Sequence, residues 1–181
     1  SLVFVGNYAH PPNIDAALRL VQAIFPVVQE RHPELQLYIV GDQPPPELKQ
    51  LANPRIIVTG RVPDVIPYLE RAAVVVVPLR LGGGMRVKVL EALAAGKAVV
   101  ASPLAAEGLQ VLDGEQIALA ETNEEFAKQI LHLLGDPDRR ASLAARARNW
   151  ADTNLCWEKS ISAYGALYEE IIGRSGGNKH C

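Results

Sequence analysis

The residues best equipped for chemistry lie in one stretch, LRLGGGMRVKVLEALAAGKAVVAS, from Leu79 to Ser102. A valine run ending at Pro78 leads into the turn Gly82-Gly83-Gly84. The turn opens a helix carrying Arg86, Lys88 and Glu91, and the chain re-enters a strand at residues 97–101. A glycine turn before a helix gives unpaired backbone N–H groups and the positive end of the helix dipole, which together attract an anion. Glycine lets that backbone approach a phosphate closely. Glu91, two turns on, is placed to accept hydrogen bonds from neutral hydroxyls beside the phosphate. Phosphate with polyol suggests a nucleotide or a nucleotide sugar. Val87, Leu90 and Ala94 are read as the core face of this helix, with Ala92 and Ala95 beside Lys88 and Glu91. The plainer alternative is a surface Lys88–Glu91 pair on an ordinary crossover, worth about 0.3 kcal/mol.

Three other loops share that setting. Gly6-Asn7-Tyr8-Ala9-His10 follows the first strand, with Gly6 turning near a ligand and Asn7 and His10 offering polar groups; a stiff connection capped by Asn13 is the alternative. Gly60-Arg61-Val62-Pro63-Asp64 follows another strand, where backbone groups could read a base and Arg61 could serve a phosphate or pair with Asp64. Ser102 to Gly108 closes the far side, with Glu107 read as a surface charge. No GxGxxG and no GxxxxGK[ST] appears, which argues against a dinucleotide fingerprint and a P-loop.

The elements that must position these loops alternate. Short apolar runs at residues 3–5, 36–40, 56–59, 74–77, 98–101 and 117–119 read as strands buried on both faces, hence a parallel sheet between helices. The expected fold is α/β: a three-layer Rossmann-like domain with about six parallel strands, followed by C-terminal helices. The first helix carries Ile14, Ala17, Leu18, Val21, Ile24, Phe25 and Val28 at helical spacing, capped by Asn13 and kinked or split by Pro26. Shorter helices are expected from Pro44 and from Pro63. Past the last strand, helices follow from Thr122 or Asn123, over 138–152, and over about 157–172. Residues 1–174 are read as one domain and 175–181 as a disordered tail.

The chain has 181 residues, 49% of them hydrophobic, enough for a sizeable core. A net charge of −2 with no basic run argues against nucleic acid as a partner. No apolar run approaches the roughly 20 residues needed to span a bilayer. Cys156 and Cys181 have no metal-ligand spacing, and a reduced, cytoplasmic setting is the expectation. The chain opens directly on a buried strand, which suggests an excised domain, one half of a larger protein.

Four ordered blocks, VFVGNYAHPPNIDAA, LYIVGDQPPPELKQL, VTGRVPDVIPYLERAAVVVVPLRLGGG and MRVKVLEALAAGKAVVASPLAAEGL, resemble the C-terminal half of a GT-B retaining glycosyltransferase of group 1 (glycosyltransferase family 4). They cover residues 2 to about 112. The resemblance implies the donor-binding half of an enzyme that moves a hexosyl group from a nucleotide diphosphate sugar to an acceptor hydroxyl, with retention. It implies Glu91 on the ribose hydroxyls and the backbone N–H groups of Gly83, Gly84 and Met85 on the diphosphate or a sugar hydroxyl. Gly6, Asn7, Arg61 and Val62 complete the expected donor site. The family usually carries E-x7-E here, and the first glutamate falls on Gly83. Its first loop often supplies an arginine and a lysine, for which Arg86 and Lys88 are the substitutes.

No catalytic residue is assigned. No metal and no cofactor are implied beyond the donor substrate. The N-terminal half, with the acceptor site, is expected to be absent, so the domain alone should bind nucleotide and turn over little. Contact of the parent enzyme with the inner face of the membrane is left open. The rivals are a non-catalytic nucleotide-sugar-binding or regulatory module and a sugar-nucleotide epimerase of GT-B type. A receiver-type or NAD-binding domain is more distant.

Overall fold

A computed structural model describes residues 1–83 and 86–155. Gly84, Met85, the expected helix over 157–172, the tail from 175 and the upper domain boundary lie outside the described residues. Along the chain run β1 (Leu2–Val5), α1 (Pro11–Arg19), a π-helical turn (Leu20–Ile24), α2 (Phe25–Arg31), β2 (Leu37–Val40) and α3 (Pro46–Gln50). Then come β3 (Ile56–Gly60), α4 (Ile66–Arg71), β4 (Val74–Val77), α5 (Val87–Ala94), β5 (Val99–Ala101) and α6 (Pro103–Ala106). β6 (Ala118–Leu119), α7 (Asn123–Gly135) and α8 (Pro137–Asn154) complete it.

All strand pairs are parallel, in the order β3-β2-β1-β4-β5-β6. The expected Rossmann-like sheet of six strands is what forms. β4 is buried at every residue, as a valine run between two helical layers must be. α7 packs beside α2 and over β4 and β5, while α8 packs against α5 on the other face. Phe4, Phe25 and Phe126 are fully buried in the core. α7 opens with a capping box, Thr122 accepting from the Glu125 amide while the Glu125 carboxylate accepts from Thr122 N–H.

Several local expectations are corrected. α1 starts at Pro11, not after Asn13: His10 is its N-cap and two prolines fill the first turn, where a missing N–H costs nothing. Asn13 therefore sits inside the helix, buried, and its amide donates to the Asn7 carbonyl at 2.7 Å. Pro26, by contrast, falls where the helical run divides as expected, in the first turn of α2. The turn before it widens to π geometry, with Phe25 N–H bonding Leu20, and the backbone stays helical. α3 and α4 begin at Pro46 and Ile66, later than expected; Asp64 accepts from the Ile66 amide at 2.9 Å and forms the turn instead. In α5 the buried face is Val89, Ala92 and Leu93, and Val87 is exposed. An Ala/Val/Leu-rich helix has more than one apolar stripe, and contact with β4, β5 and α8 selects among them.

The sheet reverses direction between β1 and β4, which are neighbours although the second and third strands separate them in sequence. Loops leaving the carboxyl ends of strands at such a switch splay apart and leave a crevice. The β1–α1 and β4–α5 loops do so here.

Candidate functional site

A cleft of about 400 Å³ opens at that point. Its α1 side is made by His10, Pro12 and Asn13; Leu79, Leu81, Gly82, Gly83, Arg86, Val87 and Lys88 form the opposite wall, and Ala105 from α6 lies below. Gly82 adopts φ +102°, and a Cβ there would come within 3.2 Å of Pro12, so glycine is required for the loop to lie against α1. Gly83 has open space where a side chain would go.

Arg86 precedes α5, and its side chain is only 10% exposed. Its Nη2 donates to Glu107 Oε2 at 2.5 Å and its Nε to the Glu107 carbonyl at 3.4 Å. Glu107 is the surface charge expected, 68% exposed, and it is also the counter-charge of Arg86. Lys88, in the first turn of α5, is half-buried and makes no ion pair among the described residues. Burial holds its ammonium below the ordinary lysine range; Glu91 opposes this shift and Arg86 adds to it. A half-buried cation with no direct ion pair, beside a helix N-terminus, is suited to a multiply charged anion. Val87 and Lys88 also carry first-turn amides, which by helix geometry have no acceptor within the helix.

Residues 1–136 match the family model described as Glycosyl transferases group 1. The chain belongs to that family. It is 30% identical over 180 residues to the phosphatidyl-myo-inositol mannosyltransferase of Mycolicibacterium smegmatis, a match covering 96% of this chain and 46% of that protein. The crystal structure of a glycosyltransferase from Rickettsia africae superposes with a TM-score of 0.77 at 17% identity, over 98% of this chain and 48% of that one. Anabaena HepE, solved in complex with UDP and glucose, gives 0.68 at 20% identity, over 84% and 43% of the two chains. This chain spans about half the length of the curated relatives that match nine-tenths or more of it. Its fold is the Rossmann-like α/β unit of GT-B glycosyltransferases.

Within this glycosyl transferase chain the expected site residues separate into two groups. Gly83, Arg86 and Lys88 line the cleft; Gly84 and Met85 lie outside the described residues. Glu91 is exposed one turn further along α5 and does not line it. Gly6 is buried beneath: its amide bonds the Val40 carbonyl at 2.9 Å, and its neighbours are Asn13 and the backbone of Gly41. Asn7 is exposed but turned back on its own loop, accepting from the Ala9 amide at 3.0 Å. Tyr8 is core, 2% exposed, its hydroxyl donating to the Val40 carbonyl, and burial pushes the phenol's pKa up. Arg61 and Val62 stand at the end of β3, away from the cleft; Arg61 is exposed and does not pair with Asp64, whose side chain serves the Ile66 amide. Val62 borders a separate hollow with Tyr38 and Tyr68.

Sequence reasoning missed Gly41 and Arg19. Gly41 has φ +139°, and a Cβ there would lie 1.7 Å from the Gly6 carbonyl oxygen. Arg19, 7% exposed, is a charge at a core position between Ala16 and Leu20, and that spacing was the signal available.

Proposed function

We propose that the cleft takes the diphosphate of a sugar nucleotide, and that the chain is the donor-binding, C-terminal half of a retaining glycosyltransferase. The observation that carries this is the convergence of Lys88, Arg86 and the first turn of α5 on a cleft at the sheet's switch point. When a glycosyl group leaves for an acceptor hydroxyl, negative charge grows on the diphosphate oxygen. The Lys88 ammonium, the α5 amides and the Arg86 guanidinium are fixed in place to meet that charge without reorganising. This reading calls on protein cations, not on a metal or cofactor, to balance the leaving group. Relatives named as a mannosyltransferase and as a UDP complex support a hexosyl donor on a nucleoside diphosphate.

The domain extends over residues 1–174 in this reading, with Glu91 reaching the ribose when donor is bound. Acceptor contacts come from a partner half, so the chain alone binds donor and transfers little. The setting is cytoplasmic. Among the described residues no helix is long and apolar enough to cross a membrane; any contact with a membrane face belongs to the partner half in this reading.

Thermal melts with UDP, GDP, ADP, TDP and their sugars test the reading. A ligand at 100 times its Kd adds about 2.7 kcal/mol, which shifts the melt by several degrees. No shift with any of the eight removes the cleft as a donor site. A second reading, binding without transfer, rests on Gly83, where the family's carboxylate is missing. A longer chain with both halves that binds a sugar nucleotide and transfers from none would select it.

A further inference from the structure

Three residues of α1 spaced along one face, Pro12, Asp15 and Arg19, meet three alternate residues of the β4–α5 loop in reverse order. Arg19 Nη1 donates to the Pro78 carbonyl at 3.1 Å. Asp15 receives Arg80, with Oδ1 2.6 Å from Nη2 and Oδ2 3.1 Å from Nε. Pro12 lies against Gly82 so closely that a Cβ on the glycine would be 3.1 Å away. Residues at i, i+3 and i+7 share a helix face, so a single face of α1 meets the loop at Pro78, Arg80 and Gly82. The far end is anchored in the core. Arg19 also donates through Nη2 to the Glu121 carbonyl at 2.5 Å and through Nε to Asn123 Oδ1 at 2.7 Å. Its guanidinium carbon lies 5.0 Å from the centre of the Phe126 ring.

We infer that this stripe of α1 is a zipper that fixes the glycine loop, making Asp15 and Arg19 positioning residues for the cleft. The inference rests on the donor-site reading only for its consequence on binding. Gly82 and Gly83 lack side chains to hold themselves in place, so the loop's position must be imposed from outside. The Asp15–Arg80 pair is its outermost tooth. Arg80 is 54% and Asp15 25% exposed, so breaking the pair costs the fold little.

The test compares wild type with Asp15→Asn, Arg80→Gln and Arg19→Lys. Amide hydrogen exchange is followed in the unliganded chain over residues 77–90, with residues 123–135 as an internal reference. Each protein is also melted and titrated with UDP, GDP and ADP. The zipper predicts severalfold faster exchange over 77–90 in D15N and R80Q, with the reference segment and the melting temperature nearly unchanged. Affinity for whichever diphosphate binds wild type falls severalfold. R19K, which keeps the charge but loses the planar fork, gives the larger effect. Unchanged exchange in both D15N and R80Q overturns the zipper, and so does faster exchange with undiminished affinity. If exchange rises but wild type binds no diphosphate, the zipper stands and the donor-site reading fails. If wild type binds and every variant matches it in exchange and affinity, the zipper fails and the site stands.

Discussion

The Arg86 guanidinium donates to Glu107 Oε2 at 2.5 Å, tying the start of α5, where Arg86 lines the cleft, to the loop after α6. A buried cation is thereby held in place, but its charge is already partly spent. Glu107→Gln keeps an acceptor for the guanidinium and removes the competing negative charge. Nucleoside diphosphate affinity should rise, by roughly two- to fivefold for a partly exposed pair. Calorimetric titration checks this; weaker binding by the glutamine variant would mean that the carboxylate's grip on Arg86 outweighs its charge.

Lys88 is the cleft cation with no ion pair among the described residues. Lys88→Met should lower diphosphate affinity about tenfold or more, since a charge-assisted contact is worth about 1.5–3 kcal/mol. Stability should hold or increase, because the desolvated ammonium is gone. A variant that loses stability and affinity together would point to packing instead.

The same residue sets a pH dependence. The folded chain holds the Lys88 pKa below 10.5, so the unfolded chain retains that proton to higher pH. Stability from this group is therefore least below the folded pKa and grows as pH rises from the folded value toward 10.5. Ligand affinity runs the other way, falling as the ammonium deprotonates. Titrations across alkaline pH should show the loss earlier than an ordinary lysine would give. Lys88→Arg should flatten the profile, because a guanidinium stays charged throughout. An identical profile in that variant would assign the titration elsewhere.

Gly41 and Gly83 should respond oppositely to substitution. Gly41→Ala places a methyl group on the Gly6 carbonyl at a positive φ and should cost on the order of 3 kcal/mol in urea unfolding. Gly83→Glu meets open space and should stay within about 0.5 kcal/mol of wild type. If the resemblance is right to expect a carboxylate at this position, binding of a sugar nucleotide should improve relative to the bare diphosphate. An unchanged ratio between the two ligands would remove position 83 from the sugar end.

The sheet was legible because its strands are uninterrupted apolar runs, and only burial on both faces accounts for Val74–Val77. The glycine loop was legible because glycines and cations cluster within ten residues. What failed to show was decided over long distances. Nothing near Arg19 in sequence announces Pro78, Glu121 or Asn123 as its acceptors, and nothing near Arg86 announces Glu107. The start of α1 was misplaced because Pro11 and Pro12 read as a stiff loop as readily as a first turn. The buried face of α5 was misread because several of its stripes are apolar, and packing against β4, β5 and α8 decides among them.

The paired prolines at the head of α1 give the cleft a direction. Two helices present their first turns to it, but Pro11 and Pro12 have no N–H, and the Asn13 amide is already bonded to His10 at 3.0 Å. The α1 wall is thus nearly devoid of free backbone donors, while the α5 wall has amides and two cations. On the donor-site reading, a molecule lying across the gap is sorted end for end, its anionic group toward α5 and its other end toward the rings of His10 and Pro12. On that reading the cleft sets which way round its ligand lies before any base or sugar is read.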